Sequence, residues 1–371
     1  MQGYHRGVRT KMTLTSQSIY QNPTNDIFYI YAPPWRDSSA GIRVLHYLCH
    51  CLNSMGYQAW LVLTNPKSTT QLTNPTLKTP ILSKLQSKIH IKSGISPVVV
   101  YSETILGNPL NAARVMRWVL NFPGALGGYL HFPTKDYLVA YSKKIQDCVP
   151  NCTDVLFLPA VDLNELPVGV PKQEEFALVY AGKYRSYVGT PPSLPGNPIE
   201  LFRDGKAKLP RKEFLNELAK AEKIYLFENS SVATEAVLLN TVAIFVENEF
   251  LGSVIAESEL GNGGMSIGFK ENELERARVT LPEAALKYKE AQEIFWLQLQ
   301  NIVDNSKEHF QNHSVQLKQI KIPTGHYSLF LHRVRLIKGI IQQMGMRVAL
   351  RTVANYLRYT MGRLWKMDDI I

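Results

Sequence analysis

The chain lacks the features that mark a secreted, metal-binding or membrane-spanning protein. It has only four cysteines in 371 residues, and their spacing matches neither a zinc site nor a redox pair, so we expect them to be reduced and structural. No charged segment followed by an apolar one opens the sequence, and no apolar run approaches the roughly 20 residues that a bilayer-spanning helix needs. We therefore expect a globular protein that acts in the cytoplasm.

The net charge of +10 is concentrated at the two ends of the chain. Residues 331–371 hold eight Lys/Arg against two Asp, and residues 1–25 hold three cations. The long central part is therefore nearly neutral, whereas a nucleic-acid-binding domain carries a basic stripe on its folded surface. This distribution argues against nucleic acid as a partner of the main body of the chain.

Short apolar strands alternate with helical segments through most of the sequence. The alternation occupies residues 26–165, stops at a connection containing Pro and Gly, and restarts at residues 172–325. With 45% hydrophobic residues the chain can fill two cores. The pattern predicts two Rossmann-like, doubly wound α/β domains that face each other across a cleft. We expect residues 1–25 to be a flexible leader and residues 326–371 to form a helical tail.

Three segments allow more specific predictions of secondary structure. Residues 111–121 follow the third strand and predict a helix, as the strand and helix alternation requires. Residues 283–310 predict a long helix that ends the second domain, with Phe295 and Trp296 packed on a sheet. Residues 65–95, rich in Thr, Pro, Ser and Lys, predict a surface excursion from the first domain.

The most informative stretch is residues 223–247, KIYLFENSSVATEAVLLNTVAIFVE. An apolar strand is followed by a polar turn, a short helix and a second apolar strand. In open α/β sheets ligands bind at the carboxyl ends of strands, where a helix N-terminus can hold a phosphate. The turn and helix offer five candidate donor-binding residues: Glu228, Asn229, Ser230, Ser231 and Glu235. The alternative is that the serines only cap the helix.

A second group of candidates follows the first strand of the same domain. Gly182, Lys183 and Arg185 follow directly on the strand residues LVYA. Such a turn can bring two cations onto a diphosphate and neutralise it as a leaving group. Together with the acidic turn at Glu228, it predicts a two-part site for a nucleoside diphosphate. A solvated strand end is the alternative.

The first strand of the chain also ends in a polar loop that leads into a helix. Ser38, Ser39 and Gly41 would allow close backbone approach at that helix N-terminus, and Arg43 lies in its first turn. We expect these four residues to face the cleft. The loop has one glycine, so the G-x-G-x-x-G fingerprint of dinucleotide-binding domains is absent and an NAD site is disfavoured.

Two residues of the first domain are candidate catalytic bases. Glu103 follows the third strand. Asn108, in the loop after it, is a further residue that we expect to face the cleft and the acceptor. Glu103 could accept a proton or bind sugar hydroxyls; it could equally pair with Arg114 or Arg117. His131 is the second candidate, although a loop histidine is often only a surface residue.

These segments together resemble the GT-B glycosyltransferases, particularly bacterial members that build cell-surface polysaccharides. The resemblance covers residues 26–310 and is carried by APPWRDSSAGIRVLHYLCHCLNSMGYQAWLV, YSETILGNPLNAARVMRWVLNFPG, LVYAGKYR and FENSSVATEAVLLNTVAIFV. It implies an N-terminal acceptor domain and a C-terminal domain that binds a nucleotide sugar. It also implies that Ser39, Ala40 and Gly41 face the acceptor and donor phosphate, Lys183 the diphosphate, and Glu228 to Glu235 the sugar and ribose.

The sequence departs from the family pattern at two places. Many retaining GT-B enzymes have seven residues between two glutamates, but six lie between Glu228 and Glu235, so that Glu235 aligns better. The Gly-x-Pro that often follows the glutamates is replaced by Asn240, Thr241 and Val242. The other common glycosyltransferase fold uses an Asp-x-Asp metal site, which is absent. We therefore expect no metal or other cofactor besides the nucleotide sugar, and Glu103 or His131 as the base if the reaction inverts. A nucleotide-sugar epimerase and a non-catalytic nucleotide- or nucleic-acid-binding protein are the alternatives.

The C-terminal tail has the composition of a helix that lies on anionic lipid. Residues 331–366 hold eight Lys/Arg and no acid, and their apolar residues recur at helical spacing. We expect this tail to hold the enzyme on the inner face of the membrane, near a lipid-linked acceptor. The alternative is a helix that packs on the first domain.

Overall fold

The computed structural model describes residues 26–66, 69 and 71–312. The predicted leader and the predicted basic tail, with its membrane contact, lie outside these residues.

The first domain is built on a six-stranded parallel sheet with the order β2-β1-β3-β4-β5-β6. Its strands are β1 (Ile27–Ala32), β2 (Gln58–Leu63), β3 (Val98–Ser102), β4 (Arg114–Val119), β5 (Tyr137–Ala140) and β6 (Asp154–Val155). Both faces of β1 are covered, because Phe28 and Ile30 pack into one apolar cluster while Ile27 and Tyr29 pack into another. A parallel strand buried on both faces needs such a continuous apolar run.

The second domain repeats this topology with five parallel strands in the order β11-β10-β9-β7-β8. Its strands are β7 (Ala177–Tyr180), β8 (Ile199–Glu200), β9 (Lys223–Leu226), β10 (Val242–Phe245) and β11 (Met265–Ile267). In both sheets the second strand lies on one side of the first strand and the third strand on the other. The predicted fold class, two doubly wound Rossmann-like domains, is confirmed.

Helices flank both sheets. In the described residues they are α1 (Ala40–Ser54), α2 (Lys84–Lys92), α3 (Lys143–Gln146), α4 (Gly182–Tyr187), α5 (Arg211–Lys220), α6 (Ser231–Leu238), α7 (Glu257–Leu260), α8 (Glu271–Thr280) and α9 (Glu283–Asn312). Within the part of the chain that the structure describes, none of them combines the length and the hydrophobicity that crossing a bilayer requires.

The predicted helix at residues 111–121 is wrong, because this segment contains strand β4. A loop joins β3 directly to β4, and Asn111 adopts a left-handed backbone conformation with φ of 54° just before the strand. Val115 and Trp118, which favour strands, then pack in the core. The predicted surface excursion at residues 65–95 contains α2 and a segment that extends the sheet edge, since Ile81 pairs with Leu61 of β2.

The predicted long helix is confirmed as α9, and it packs against both domains. Ala284 near its start joins the core of the second sheet, while Phe295 and Leu299 join the core of the first sheet. Between them the Tyr288 hydroxyl donates to the Val161 carbonyl at 2.8 Å and accepts from the Val161 N–H at 2.7 Å. The helix therefore ties the two domains together.

Candidate active site between the two domains

The strand orders place four loops at two switch points of the fold. A switch point lies between β1 and β3 in the first sheet and between β7 and β9 in the second, where neighbouring crossovers leave in opposite directions. In this fold class ligands bind in the crevice outside the carboxyl ends of such strands. The residues that follow these four strands include the predicted candidates Ser39, Glu103, Lys183 and Glu228.

Hydrogen bonds between the domains show that the two carboxyl edges face each other. Ser38 donates to Asp204 Oδ1 at 2.9 Å, and the Arg203 guanidinium donates to the Asp37 carbonyl at 3.1 Å. Arg43 of α1 donates to Ser231 Oγ of α6 at 2.9 Å. The loops after β1, β8 and β9 therefore meet across the cleft.

Glu103 is a buried carboxyl group on the first-domain side of the cleft. It is 3% exposed, and its Oε2 accepts a hydrogen bond from the Leu120 N–H at 2.9 Å. Burial raises the pKa of Glu103 to about 7, although backbone hydrogen bonds and the charges of Lys183 and Arg117 act in the opposite direction. At neutral pH this side chain can both accept and release a proton, as a catalytic base must.

Glu228 is the corresponding buried carboxyl group on the second-domain side. It is 1% exposed, and its Oε2 accepts from the Tyr184 N–H at 2.7 Å. Its Oε1 has no hydrogen-bond partner within the described residues and lies 4.0 Å from Lys183 Nζ. Burial raises the pKa of Glu228, and the charge of Lys183 partly offsets this increase.

Lys183 acts on both carboxyl groups and so connects the two halves of the site. Its ammonium group donates to the Asn229 carbonyl at 3.0 Å, beside Glu228. Its charge also lowers the pKa of Glu103, which belongs to the other domain. One cation thus lies within electrostatic reach of two buried carboxyl groups that approach from opposite sides of the cleft.

Glu235 lies at the centre of an arginine cluster, which we define as Arg43, Arg203 and Arg211 around this carboxylate. The N–O distances are 3.1, 3.7 and 3.0 Å respectively. Glu235 is fully buried. Burial alone would raise its pKa, but the three guanidinium groups outweigh burial and lower the pKa to about 2. Arg211 also pairs with Glu165 at 3.3 Å. Three cations thus face two anions here, so the cluster keeps a positive charge close to the first turn of α6.

Several predicted donor-binding residues are engaged in local contacts. Arg185 pairs with Glu200 of β8, and Asn229 donates to two carbonyls of the 251–253 loop and accepts from the Ile255 N–H. Ser230 caps α6 by accepting from the Val232 N–H. Gly182 begins α4, and a Cβ there would lie 2.9 Å from the Tyr180 hydroxyl.

The remaining predicted site residues, which include the candidate base His131, differ in how they are held. Asn108 is tied into its own loop, where it accepts from Tyr101 Oη and exchanges hydrogen bonds with the Ala112 backbone. Ser39 holds the N-cap position of α1, and Gly41 lies in the first turn, where a Cβ would make ordinary contact with Leu120. His131 is exposed in its loop.

The sequence did not reveal Arg203 and Arg211 as members of the site. Arg203 follows β8, which is only two residues long, and Arg211 opens α5. In the sequence, their positions after a strand and at the start of a helix were the signals that could have identified them as site residues. The sequence left open that Glu103 pairs with Arg114 or Arg117. In the structure the ion-pair partner of Arg117 is Asp136, at 2.7 Å.

No group of three or more His, Cys, Asp and Glu side chains arranged to hold a metal ion occurs in the described residues. Two concavities, of about 300 and 530 Å³, are lined by residues of the second domain and, in the larger one, by Val170 of the connection before it. The facing switch points therefore remain the place where charged groups of both domains converge.

No protein-family model and no curated protein matches the chain. Solved structures similar to it include the glycosyltransferase SnogD from Streptomyces nogalater, at 12% identity over 76% of this chain and 99% of that chain, with a TM-score of 0.41. Another is WaaG, a glycosyltransferase involved in lipopolysaccharide biosynthesis, at 10% identity over 75% and 99%, with a TM-score of 0.38. A putative UDP-N-acetylglucosamine 2-epimerase from Listeria monocytogenes is similar at 10% identity over 79% and 99%, with a TM-score of 0.37.

Other similar structures include a forosaminyltransferase and a glycosyltransferase from Rickettsia africae, so most of these structures are glycosyltransferases and one is an epimerase. The likeness concerns the fold alone. The two sheets with their equivalent strand orders are the arrangement that the resemblance to GT-B enzymes predicts.

Proposed function

We propose that the chain is a glycosyltransferase that moves a sugar from a nucleoside-diphosphate sugar to a hydroxyl of a glycan or lipid-linked acceptor. The observation that carries this proposal is the arrangement of Glu103, Lys183 and Glu228. Two buried carboxyl groups approach from opposite domains, and one lysine acts on both. Such a site can hold an anionic donor on one side and accept a proton on the other.

The donor would bind on the second-domain side. Lys183 supplies the charge that neutralises the diphosphate as it leaves, and the arginine cluster adds positive potential near the first turn of α6. The Glu228 oxygen without a hydrogen-bond partner among the described residues would accept a sugar hydroxyl. Because the carboxylate of Glu235 is already held by three arginines, we assign the direct contact with the sugar to Glu228.

The acceptor hydroxyl would react from the first-domain side. Its oxygen forms the new bond to the anomeric carbon, the bond from that carbon to the diphosphate breaks, and the hydroxyl proton passes to Glu103. A carboxyl group with a pKa of about 7 is suited to this transfer at neutral pH. His131 stays the second candidate for the base.

We further propose that the reaction needs no metal ion. Lys183 and the three arginines together provide the positive charge that a divalent cation would otherwise supply to the leaving diphosphate. Transfer should therefore persist when the protein is assayed in EDTA. Loss of activity in EDTA with recovery on addition of Mg²⁺ or Mn²⁺ would refute this part of the proposal.

The biological setting remains a proposal based on sequence resemblance and on the composition of the tail. We propose a hexosyl donor, an acceptor in bacterial surface polysaccharide synthesis, and a peripheral position on the inner face of the membrane. Residues 331–366 would provide one contact with anionic lipid.

Substitution Glu103→Gln tests the mechanism. Glutamine keeps an oxygen for the Leu120 N–H but cannot accept the proton, so kcat should fall by about 100- to 10,000-fold. In the parent enzyme kcat should rise with pH through about 7 and then level off. The donor KM should change little, and Glu213→Gln, an exposed residue of α5, is the matched control.

Unchanged kcat in Glu103→Gln would contradict the role of this residue. Conversion of a nucleotide sugar to its epimer without any acceptor would contradict the transferase and identify an epimerase. Product analysis by NMR, with and without an acceptor, separates these outcomes.

A further inference from the structure

Helix α2 buries polar side chains and exposes apolar ones, although its Ile91 packs against the core of the first domain. Ser87 and His90 face inward and are each 3% exposed, whereas Leu85 is 70% exposed and Ile89 is 46% exposed. His90 is held by Tyr29 Oη at 2.7 Å. A helix on the surface of a globular protein normally turns its apolar side to the core. The outward leucine and isoleucine therefore do not serve the packing of this domain.

The same face of α2 is strongly basic. Lys84, Lys88 and Lys92 are exposed, and none of them forms an ion pair with any residue that the structure describes. At about 100° per residue, these three lysines together with Leu85 and Ile89 occupy an arc of about 140°. The sequence between Asp37 and Glu103 contains no Asp or Glu, so acids from this part of the chain do not neutralise the face.

The segment before α2 enlarges this surface. Ile81 is 41% exposed, and Lys78 is also exposed. The Leu61 N–H donates to the Pro80 carbonyl at 2.8 Å, which fixes this segment along the sheet edge beside β2. We define the α2 surface as Lys78, Ile81, Lys84, Leu85, Lys88, Ile89 and Lys92.

We propose that the α2 surface docks on an anionic lipid membrane. Aliphatic side chains flanked by lysines are the composition of an interfacial helix, in which the apolar groups enter the lipid and the cations meet the headgroups. A second copy of the chain would bring the same lysines against each other, which is unfavourable. Single-stranded nucleic acid is bound largely by aromatic stacking, and the α2 surface has no aromatic side chain.

The position of α2 relates this contact to the cleft. Leu61 is the fourth of the six residues of β2, so the segment beside it leads into α2 from the carboxyl half of the sheet edge. Membrane contact here would bring a lipid-linked acceptor toward the candidate active site. This consequence rests on the proposed function, whereas the docking of the α2 surface is argued from its own side chains.

Vesicle flotation of the full chain tests the proposal. The probes are phosphatidylcholine vesicles with and without about 30% phosphatidylglycerol, and the variants are Leu85→Ser with Ile89→Ser, and Lys84→Gln with Lys88→Gln and Lys92→Gln. All proteins keep residues 331–366, so the tail contributes equally. The partition coefficient on anionic vesicles should fall about fivefold for each lysine removed and at least about tenfold for the two serines.

Matched control variants remove the same kinds of side chain, two apolar ones or three lysines, from other exposed positions of the protein. Leu286→Ser with Leu297→Ser removes two exposed leucines of α9, and Lys206→Gln with Lys208→Gln and Lys212→Gln removes three exposed lysines near α5. Both controls should bind vesicles as the parent does. Thermal melting of each variant verifies that it is folded.

The proposal is overturned if the parent does not bind anionic vesicles, or if the α2 variants bind as their controls do. It is also overturned if the serine variant instead dissociates a dimer in sedimentation velocity. Binding of single-stranded RNA that depends on the lysines but not on Leu85 and Ile89 would assign the surface to nucleic acid. Sugar transfer to a water-soluble acceptor is measured in parallel, because its failure in the parent would bear on the proposed function and not on the α2 surface.

Discussion

Glu103 and Glu235 are both buried carboxyl groups, yet their surroundings move their pKa values in opposite directions. Glu103 has backbone hydrogen bonds and distant cations, so burial dominates and its pKa rises to about 7. Glu235 faces three guanidinium groups, which outweigh burial and lower its pKa to about 2. The first is suited to exchanging a proton and the second to holding a permanent negative charge.

Glu235→Gln should destabilise the protein by about 3–5 kcal/mol, because it removes the buried anion that three arginines share, although Arg211 keeps its pair with Glu165. The folded-state pKa of Glu235 lies below its ordinary value of 4.5. Its contribution to stability is therefore present above that value and is lost as the pH falls toward about 2. Urea unfolding should show a gap between parent and variant that narrows from about pH 5 to about pH 2.5. A stability difference that does not change with pH, or no difference at all, would contradict this role. Glu217→Gln on α5 is the control.

The opposite dependence is expected for Glu103. Its folded-state pKa is raised from 4.5 to about 7, so the unfolded chain loses this proton at lower pH and stability falls as the pH rises between these values. Glu103→Gln removes this cost, which amounts to about 3 kcal/mol once the group is ionised. Urea unfolding at about pH 4 and about pH 8 should show the variant gaining stability relative to the parent at the higher value. A variant no more stable than the parent there would contradict the raised pKa.

At the scale of elements, the sequence predicted most strands and the principal helices because each carries a long apolar run or a helical repeat. The segment at residues 111–121 was mistaken for a helix, since strand and helix usually alternate in this fold. In the structure Arg117 is 1% exposed, with its charge balanced by Asp136 and its guanidinium bonded to the Ile105 and Gly107 carbonyls. Such long-range pairing cannot be recognised from local periodicity.

The candidate site was predicted in part for the same reason. Strand ends are local signals, so Glu103, Lys183 and Glu228 could be singled out from the sequence. The arginine cluster assembles residues from α1, α5 and the loop after β8, and their proximity depends on how the two domains meet.

A substitution at Gly128 tests how closely its loop packs against the main chain of Glu103. Gly128 has a φ of +84°, and a Cβ there would lie 2.3 Å from the Glu103 carbonyl oxygen. Gly128→Ala should cost more than about 2 kcal/mol, since backbone strain and a clash with the main chain add together. Gly169→Ala shares the positive φ, at +72°, but has open space, so it measures the strain alone. Equal losses in urea unfolding would contradict the close packing at Gly128.

At the scale of the whole molecule, α9 makes the two domains one structural unit. It contributes to the cores of both sheets. In its first half, the Tyr288 hydroxyl forms two hydrogen bonds with the Val161 backbone. We therefore expect calorimetry to show one unfolding transition. Leu299→Ala, at a position 1% exposed, should cost about 2–5 kcal/mol and lower the midpoint of that single transition. Leu297→Ala, 71% exposed on the same helix, should change it little, and two separate transitions in the parent would contradict the coupling.

The central claim is that the facing switch points bind a nucleoside diphosphate through Lys183. Isothermal titration calorimetry of the parent and of Lys183→Met with UDP, GDP, dTDP, ADP and CMP tests it most directly. Lys212→Met, at an exposed position of α5, is the control. We expect one of these nucleotides to bind the parent and the control, and to bind Lys183→Met at least about tenfold more weakly, because a charge-assisted contact to phosphate is lost. Binding that is unaffected by Lys183→Met, or no binding of any of these nucleotides to the parent, would contradict the account.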